Sequence, residues 1–180
     1  MIYMFLAKGF EETEALAPLD LLRRADLAVT TVGVGGKTVV GAHGISVSAD
    51  ISDTELDLSS DIEAVILPGG MPGTLNLDAC PAVHMALDAA KKCDAIIAAI
   101  CAAPMILGKK GLLRGKEAIC YPGFEEHLKG ARISDKKVAR DGKIITAKGM
   151  GVAIEFGLAL ISALKDSETS EKIKAAIMAD

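Results

Sequence analysis

A cysteine closes the apolar run Ala95-Ile96-Ile97-Ala98-Ala99-Ile100 and is followed by Ala102-Ala103-Pro104. A run of Ile and Ala reads as a buried strand of a parallel sheet, and Pro104 is the residue type that opens a helix. Cys101 therefore stands at a strand-to-helix corner. Small residues around such a corner lift a nucleophile out of the sheet and leave backbone N–H groups free to point at it. A helix start also favours the thiolate, so the placement predicts a depressed thiol pKa and nucleophilic or redox chemistry. A free cysteine can equally be a small buried hydrophobe; convergence of other reactive groups on it separates the two readings.

The surrounding elements provide that convergence. Short Val/Ile runs alternate with longer Ala/Leu/Lys/Glu segments, the pattern of repeated βα units. It predicts strands over residues 2–7, 28–33, 64–67, 95–100, 117–120 and 143–146. Helices are predicted over 13–25, 81–92, 102–109, 124–129, 151–164 and 170–178. Residues 37–49, with turn signals at Gly35-Gly36 and Gly41, and residues 138–145, with Asp141-Gly142 at a hairpin turn, read as small antiparallel additions. The C-terminal segment places Ile173, Ala176 and Ile177 at helical spacing, to pack on the domain or on a partner.

This is the pattern of one α/β domain over residues 1–180: a flavodoxin-like, doubly wound, mostly parallel sheet with helices on both faces. The first, third and fourth major strands are its central neighbours, and ligands bind beyond the carboxyl ends of such strands. Beyond the ends of those three strands stand Glu11-Glu12-Thr13-Glu14, Pro68-Gly69-Gly70 and Cys101-Ala102-Ala103.

Glu14 is the carboxylate best placed to meet Cys101, because it opens the first helix. Glu11 and Glu12 read as acids of the preceding turn, facing water and favoured by the helix start. Pro18 lacks the N–H that would reach the carbonyl of Glu14, so a distorted helix can aim that carboxyl inward. Protonated, a buried Glu14 donates a hydrogen bond to a thiolate; ionised, it takes a proton from a substrate carbon. Gly69-Gly70 lets backbone approach a ligand, and the amides of Gly70 and Ala102 suit an oxyanion. Gly149, in the turn Lys148-Gly149-Met150-Gly151, and Tyr121 and His127 are further residues expected to line the site. His43 and His84 read as solvated surface residues, Cys93 as a structural residue at the opposite sheet edge, and Cys80 and Cys120 as peripheral. No His/Cys/Asp grouping has ligand spacing, so neither a metal nor a cofactor is expected.

The bulk properties narrow the partners. A net charge of −4 without Lys/Arg runs interleaved with aromatics argues against nucleic acid. No apolar run reaches the length that spans a bilayer, and the first residues lack a secretory pattern. Four cysteines without CxxC spacing fit a reducing, cytoplasmic compartment. Small molecules or proteins are the expected partners.

Four stretches in order resemble the ThiJ/PfpI superfamily, and within it the DJ-one/YajL-like branch. They are Leu6-Ala7-Lys8-Gly9-Phe10-Glu11-Glu12-Thr13-Glu14, Val65-Ile66-Leu67-Pro68-Gly69-Gly70, Ala98-Ala99-Ile100-Cys101-Ala102-Ala103-Pro104 and Lys148-Gly149-Met150-Gly151, with Glu155-Phe156 in the next helix. The resemblance implies a flavodoxin-like homodimer with Cys101 as the reactive thiol, Glu14 as its carboxyl partner and the Gly70 and Ala102 amides around it. Ala102 stands where protease- and amidase-like relatives carry His, and Tyr121-Pro122 where some branch members carry His-Pro. Tyrosine is a poor general base at neutral pH, so peptide hydrolysis by a Cys-His-acid triad is not implied.

The implied activity is cofactor-free chemistry on small reactive dicarbonyls, or on glycated protein, as in glyoxalases and deglycases. The thiolate adds to an aldehyde, Glu14 moves a proton through an enediol, and hydrolysis releases a hydroxy acid, lactate from methylglyoxal. A second reading of the same two residues is a redox-responsive or chaperone-like stress protein, in which Cys101 oxidises to sulfenic and then sulfinic acid beside a protonated Glu14.

Overall fold

The structure, a computed structural model, describes residues 1–179. In chain order its elements are β1 (Ile2–Leu6), α1 (Glu12–Arg24), β2 (Val29–Gly33), β3 (Thr38–Val40), β4 (Ser46–Ser48), β5 (Ile51–Ser52), β6 (Ala64–Leu67), α2 (Gly73–Ala79) and α3 (Pro81–Lys92). After these come β7 (Ile96–Ile100), α4 (Pro104–Lys109), β8 (Glu117–Ala118), β9 (Arg132–Ile133), β10 (Val138–Asp141), β11 (Ile144–Ala147), α5 (Ala153–Leu164) and α6 (Ser167–Ala176).

Every residue of β1 is buried, because side chains alternate across a strand and both faces of this sheet are covered. Ile2, Met4 and Leu6 enter one core with Phe10, Leu22, Phe156 and Ile173; Tyr3 and Phe5 enter the other with Leu77, Val83, Leu87 and Ile106. Helices α1, α5 and α6 thus cover one face, and α2, α3 and α4 the other. The main sheet runs β10-β11-β7-β6-β1-β2-β5, so β1, β6 and β7 are central neighbours as the sequence predicts. All its pairs are parallel except β10 with β11, which form the expected hairpin around Gly142. The predicted hairpin within residues 37–49 is β3–β4.

Several expectations are corrected. The strand predicted over 117–120 shortens to β8, which pairs with β9 in a separate two-stranded ribbon. The helix predicted over 124–129 is one 3-10 turn, Glu125–His127, since a segment that short between Gly123 and Gly130 cannot propagate an α-helix. Helix α2, absent from the predicted helices, opens on Gly73 directly after Pro72 and buries Leu77. The last helix begins earlier than expected because the Asp166 carboxylate caps the Thr169 N–H at 2.6 Å. Residue 180 lies outside the described residues. No helix among the described residues is long and apolar enough to cross a membrane.

The first helix, which carries Glu14, is seated by α5. A Cβ on Gly157 would lie 2.6 Å from Leu21 Cδ1 and 3.1 Å from Pro18 Cα, so the bare glycine permits the close helix approach. We expect Gly157→Val to lower stability by about 1–3 kcal/mol through overpacking. Urea unfolding checks this, with a reduced midpoint at an unchanged slope as the expected result.

Candidate active site

Cys101 leaves β7 with φ 64, in the left-handed region that non-glycine residues seldom adopt. Two backbone bonds hold it there. Its N–H donates to the Ala147 carbonyl at 2.9 Å, and its carbonyl accepts from the Tyr121 N–H at 2.8 Å. Thus the end of β11 and the Tyr121 loop clamp the corner, and the strain, on the order of 1–3 kcal/mol, is held by long-range contacts. The half-buried sulfur receives the N–H groups of Gly70 and Ala102, the two amides expected from the sequence.

Glu14 is 1% exposed, although it lies in the first turn of α1. Its Oε2 accepts the Gly69 N–H at 3.0 Å, and the Met150 N–H also points at the carboxyl. The Glu14 N–H in turn donates to the Glu11 carboxylate at 2.6 Å, so Glu11 caps the helix instead of facing water. Gly69 is what lets carboxyl and thiol meet. A Cβ on it would lie 2.6 Å from Cys101 Cβ and 2.6 Å from Glu14 Oε2.

Burial pushes the Glu14 carboxyl up to about 7; the nearby Glu11 charge adds to the rise, while the Cys101 thiol and the Gly69 and Met150 amides oppose it. Burial also pushes the Cys101 thiol up, to about 12, assisted by the charge and hydrogen bonding of Glu14 and opposed by the Gly70 and Ala102 amides. This reverses the depressed thiol pKa expected from a helix start. The helix α4 begins only at Pro104 and has six residues, so its pull on the sulfur is small beside the burial of the thiol and the nearby Glu14. The pair thus carries two protons in acid and a single one once pH rises above about 7.

The other residues separate. Tyr121 and Gly149 are at the site: a Cβ on Gly149 would lie 3.3 Å from Tyr121 Cδ2 and 4.0 Å from Glu14 Oε1. His127 is turned away, with its ring 6.1 Å from that of Phe124, its Nε2 3.7 Å from Glu126, and its carbonyl against Gly108 of α4. His84 is half-buried, with Nε2 2.7 Å from the Asp78 carbonyl, and is not freely solvated. Cys93 is exposed at the end of α3, so it is not a packed structural thiol; Cys80 and Cys120 are buried.

Glu12, expected to face water, is 5% exposed. It reaches across to the β3–β4 hairpin, where it accepts from the His43 N–H at 2.8 Å and meets His43 Nδ1 at 2.9 Å. Possible ligand atoms of Glu11, Glu12 and His43 lie within 4.8 Å of one another, a grouping that sequence spacing did not reveal. Glu12 and His43 are engaged with each other and Glu11 with the Glu14 amide. The sequence reading also missed the Met150 amide, for which no side chain signals. The Glu11 cap had a signal, an acceptor three residues before Glu14.

Of the cavities, one of about 350 Å³ lies away from the thiol, lined by Lys91, Asp94, Lys116 and Lys143. Another, of about 390 Å³, includes Tyr121, Gly149 and Met150, and so adjoins the thiol and carboxyl.

Residues 1–163 match the DJ-1/PfpI family. The chain is 34% identical over 179 residues to the Parkinson disease protein 7 homolog of Danio rerio, covering 97% of this chain and 95% of that one. It is 29% identical over 164 residues to the glutathione-independent glyoxalase DJR-1.2 of Caenorhabditis elegans, covering 91% and 87%. Among solved structures, the oxidized DJ-1 of Toxoplasma gondii superposes with a TM-score of 0.94 at 32% identity, covering 99% of this chain and 97% of that chain. With a strand-end cysteine beside a buried glutamate, and with sequence and fold matched over nearly its whole length, the chain belongs to the DJ-1/PfpI family.

Proposed function

We propose that the chain is a glyoxalase-type enzyme that converts reactive 2-oxoaldehydes, methylglyoxal being the simplest, to 2-hydroxy acids. The observation that carries this reading is the convergence of the Cys101 corner, the buried Glu14 carboxyl and the Gly70 and Ala102 amides. When Glu14 holds the pair's single proton it no longer repels a thiolate and instead donates to it, so the reactive form is carboxylic acid with thiolate.

The thiolate forms a C–S bond to the aldehyde carbon, and the oxyanion that develops lies among the backbone amides and takes the Glu14 proton. Glu14, now ionised, removes the hydrogen from the sulfur-bearing carbon, giving an enediolate; the hydroxyl proton on that carbon passes to the former ketone oxygen, and Glu14 returns its proton to the neighbouring carbon. The result is a thioester with an adjacent alcohol. Water cleaves the C–S bond, releasing the hydroxy acid and restoring the thiol. One carbon is oxidised and its neighbour reduced, so no outside oxidant enters. The glyoxalase name of the Caenorhabditis elegans relative supports this reading. Early adducts on protein amines and thiols enter the same sequence once the protein amine or thiol leaves with its proton and restores the aldehyde.

Replacing either partner should remove the reaction. Cys101→Ala and Glu14→Gln are each expected to lower methylglyoxal turnover by about 10²-fold or more, followed as lactate formed; full activity in either variant overturns the assignment. The pH profile tests the proton count of the pair. Activity should rise as the site loses its first proton near pH 7. Because the Glu11 charge raises the Glu14 pKa, Glu11→Gln should move that rise to lower pH while its amide oxygen keeps the cap.

One observation favours a second reading, redox sensing. The sulfur sits among two amides and a carboxyl that would hydrogen-bond an oxidised product, and the Toxoplasma gondii neighbour was solved in an oxidized form. Thiolate attack on peroxide transfers one oxygen with loss of water, and a second peroxide gives the sulfinate. Mass spectrometry after graded peroxide should find sulfinate first on Cys101; earlier oxidation of the exposed Cys93 counts against sensing.

A further inference from the structure

An open groove of about 390 Å³ lies between the Tyr121 loop and the start of α5, one residue's width from the thiol and carboxyl. Tyr121, Pro122, Lys148, Gly149, Met150 and Val152 line it. Its walls are bonded to the site itself. The Tyr121 N–H donates to the Cys101 carbonyl at 2.8 Å, and the Met150 N–H points at the Glu14 carboxyl. Gly149 forms the floor, where a Cβ would lie 3.3 Å from the Tyr121 ring and 4.0 Å from Glu14 Oε1.

The lining has a definite chemistry. Tyr121 is 51% exposed and Met150 53% exposed, two large apolar side chains left open beside the nucleophile. Lys148 is the one charged residue of the lining, and it forms no ion pair among the described residues. An aromatic face, a thioether and an unpaired ammonium all attract a π-system, by stacking, by sulfur–ring contact and by cation–π attraction. The volume lies in the range of about 300–1,000 Å³ that drug-sized ligands take. A three-carbon dicarbonyl would occupy only its inner end.

We propose that this groove is the subsite for the non-reacting group of the substrate, and that the enzyme prefers 2-oxoaldehydes bearing an aromatic group to those bearing a methyl. The proposal rests on the glyoxalase reading for its chemistry. An arylglyoxal takes up one water and becomes the aryl hydroxy acid, its aldehyde carbon oxidised and its ketone carbon reduced. The ring lies along Tyr121 and Met150 while the aldehyde meets Cys101.

The test compares kcat/KM for phenylglyoxal and methylglyoxal in the full chain. The expected ratio is about tenfold in favour of phenylglyoxal, the scale of discrimination that one apolar pocket supplies. Met150→Ala and Tyr121→Leu should erase most of that ratio, lowering the phenylglyoxal value far more than the methylglyoxal value. A ratio of one or less, or one that neither substitution changes, overturns the proposal.

A binding measurement separates failure of the groove from failure of the glyoxalase reading. The chain has no Trp and two Tyr, of which Tyr3 is 3% exposed, so tyrosine emission reports on Tyr121 against a constant background. In the Cys101→Ala chain, mandelate should change that emission in a saturable way, lactate at equal concentration should not, and Tyr121→Leu should abolish the change. Saturable mandelate binding without turnover of either aldehyde leaves the groove standing and removes the glyoxalase reading. Turnover of methylglyoxal without mandelate binding removes the groove alone. If dilution of the protein by itself changes Tyr121 emission, a second copy of the chain occupies the groove and the proposal falls.

Discussion

A carboxyl buried against a half-buried thiol is the constraint on which the rest of this structure depends. Glu14 is almost wholly out of water, and its pKa stands near 7 against an ordinary 4.5. Such a rise means that ionising Glu14 costs roughly 3 kcal/mol more in the folded chain than in water. The sign follows from the raised value: the burial is tolerated below the ordinary carboxylate pKa, and its penalty grows as pH rises toward 7. The proposed chemistry at neutral pH thus falls where the fold bears that penalty, the usual opposition between stability and activity.

The parallel sheet makes this arrangement affordable because its strand ends converge. The end of β1 leads to Glu14, the end of β6 to Gly69 and Gly70, the end of β7 to Cys101, and the end of β11 to Met150. Each contributes one donor, acceptor or nucleophile to a space no larger than a side chain, and each is fixed by the buried strand behind it. The polar atoms that face the sulfur are mostly backbone amides, which need no side-chain entropy to be ordered. The close packing of α1 on α5 through Gly157 serves the same end, since a shift of α1 would carry Glu14 with it.

Much of this was legible in the chain, and the remainder was hidden for physical reasons. An apolar run ending in Cys-Ala-Ala-Pro states its own corner, and the order of strands places Glu14 and Gly69-Gly70 opposite it. The direction of the thiol's pKa was not legible, because it turns first on how deeply the sulfur is buried and then on its closeness to the carboxyl, which the missing side chain of Gly69 permits. Glu12 looked like a solvated acid because its partner, His43, lies 31 residues away on a hairpin whose docking no local pattern records. The Met150 amide is main chain and has no residue signature. His127 could be placed near the strand end but not oriented, and the 3-10 turn that bears it rotates the ring toward Phe124.

The Glu12–His43 contact makes the β3–β4 hairpin a latch fastened by one carboxylate. Burial raises the Glu12 pKa, but the His43 side chain and the backbone N–H groups of the hairpin outweigh it and hold the carboxyl below its ordinary 4.5. His43 is held above its ordinary 6.5 by the same partner. Glu12 therefore contributes fully above 4.5 and lets go as pH falls through its lowered value; His43 contributes fully below 6.5 and lets go as pH rises through its raised one. The latch is closed most firmly in the mildly acidic interval between those limits. Acid and alkali thus loosen the same hairpin from opposite sides, acid by neutralising the carboxylate itself, alkali by neutralising only the ring while the His43 and Ile45 N–H bonds persist.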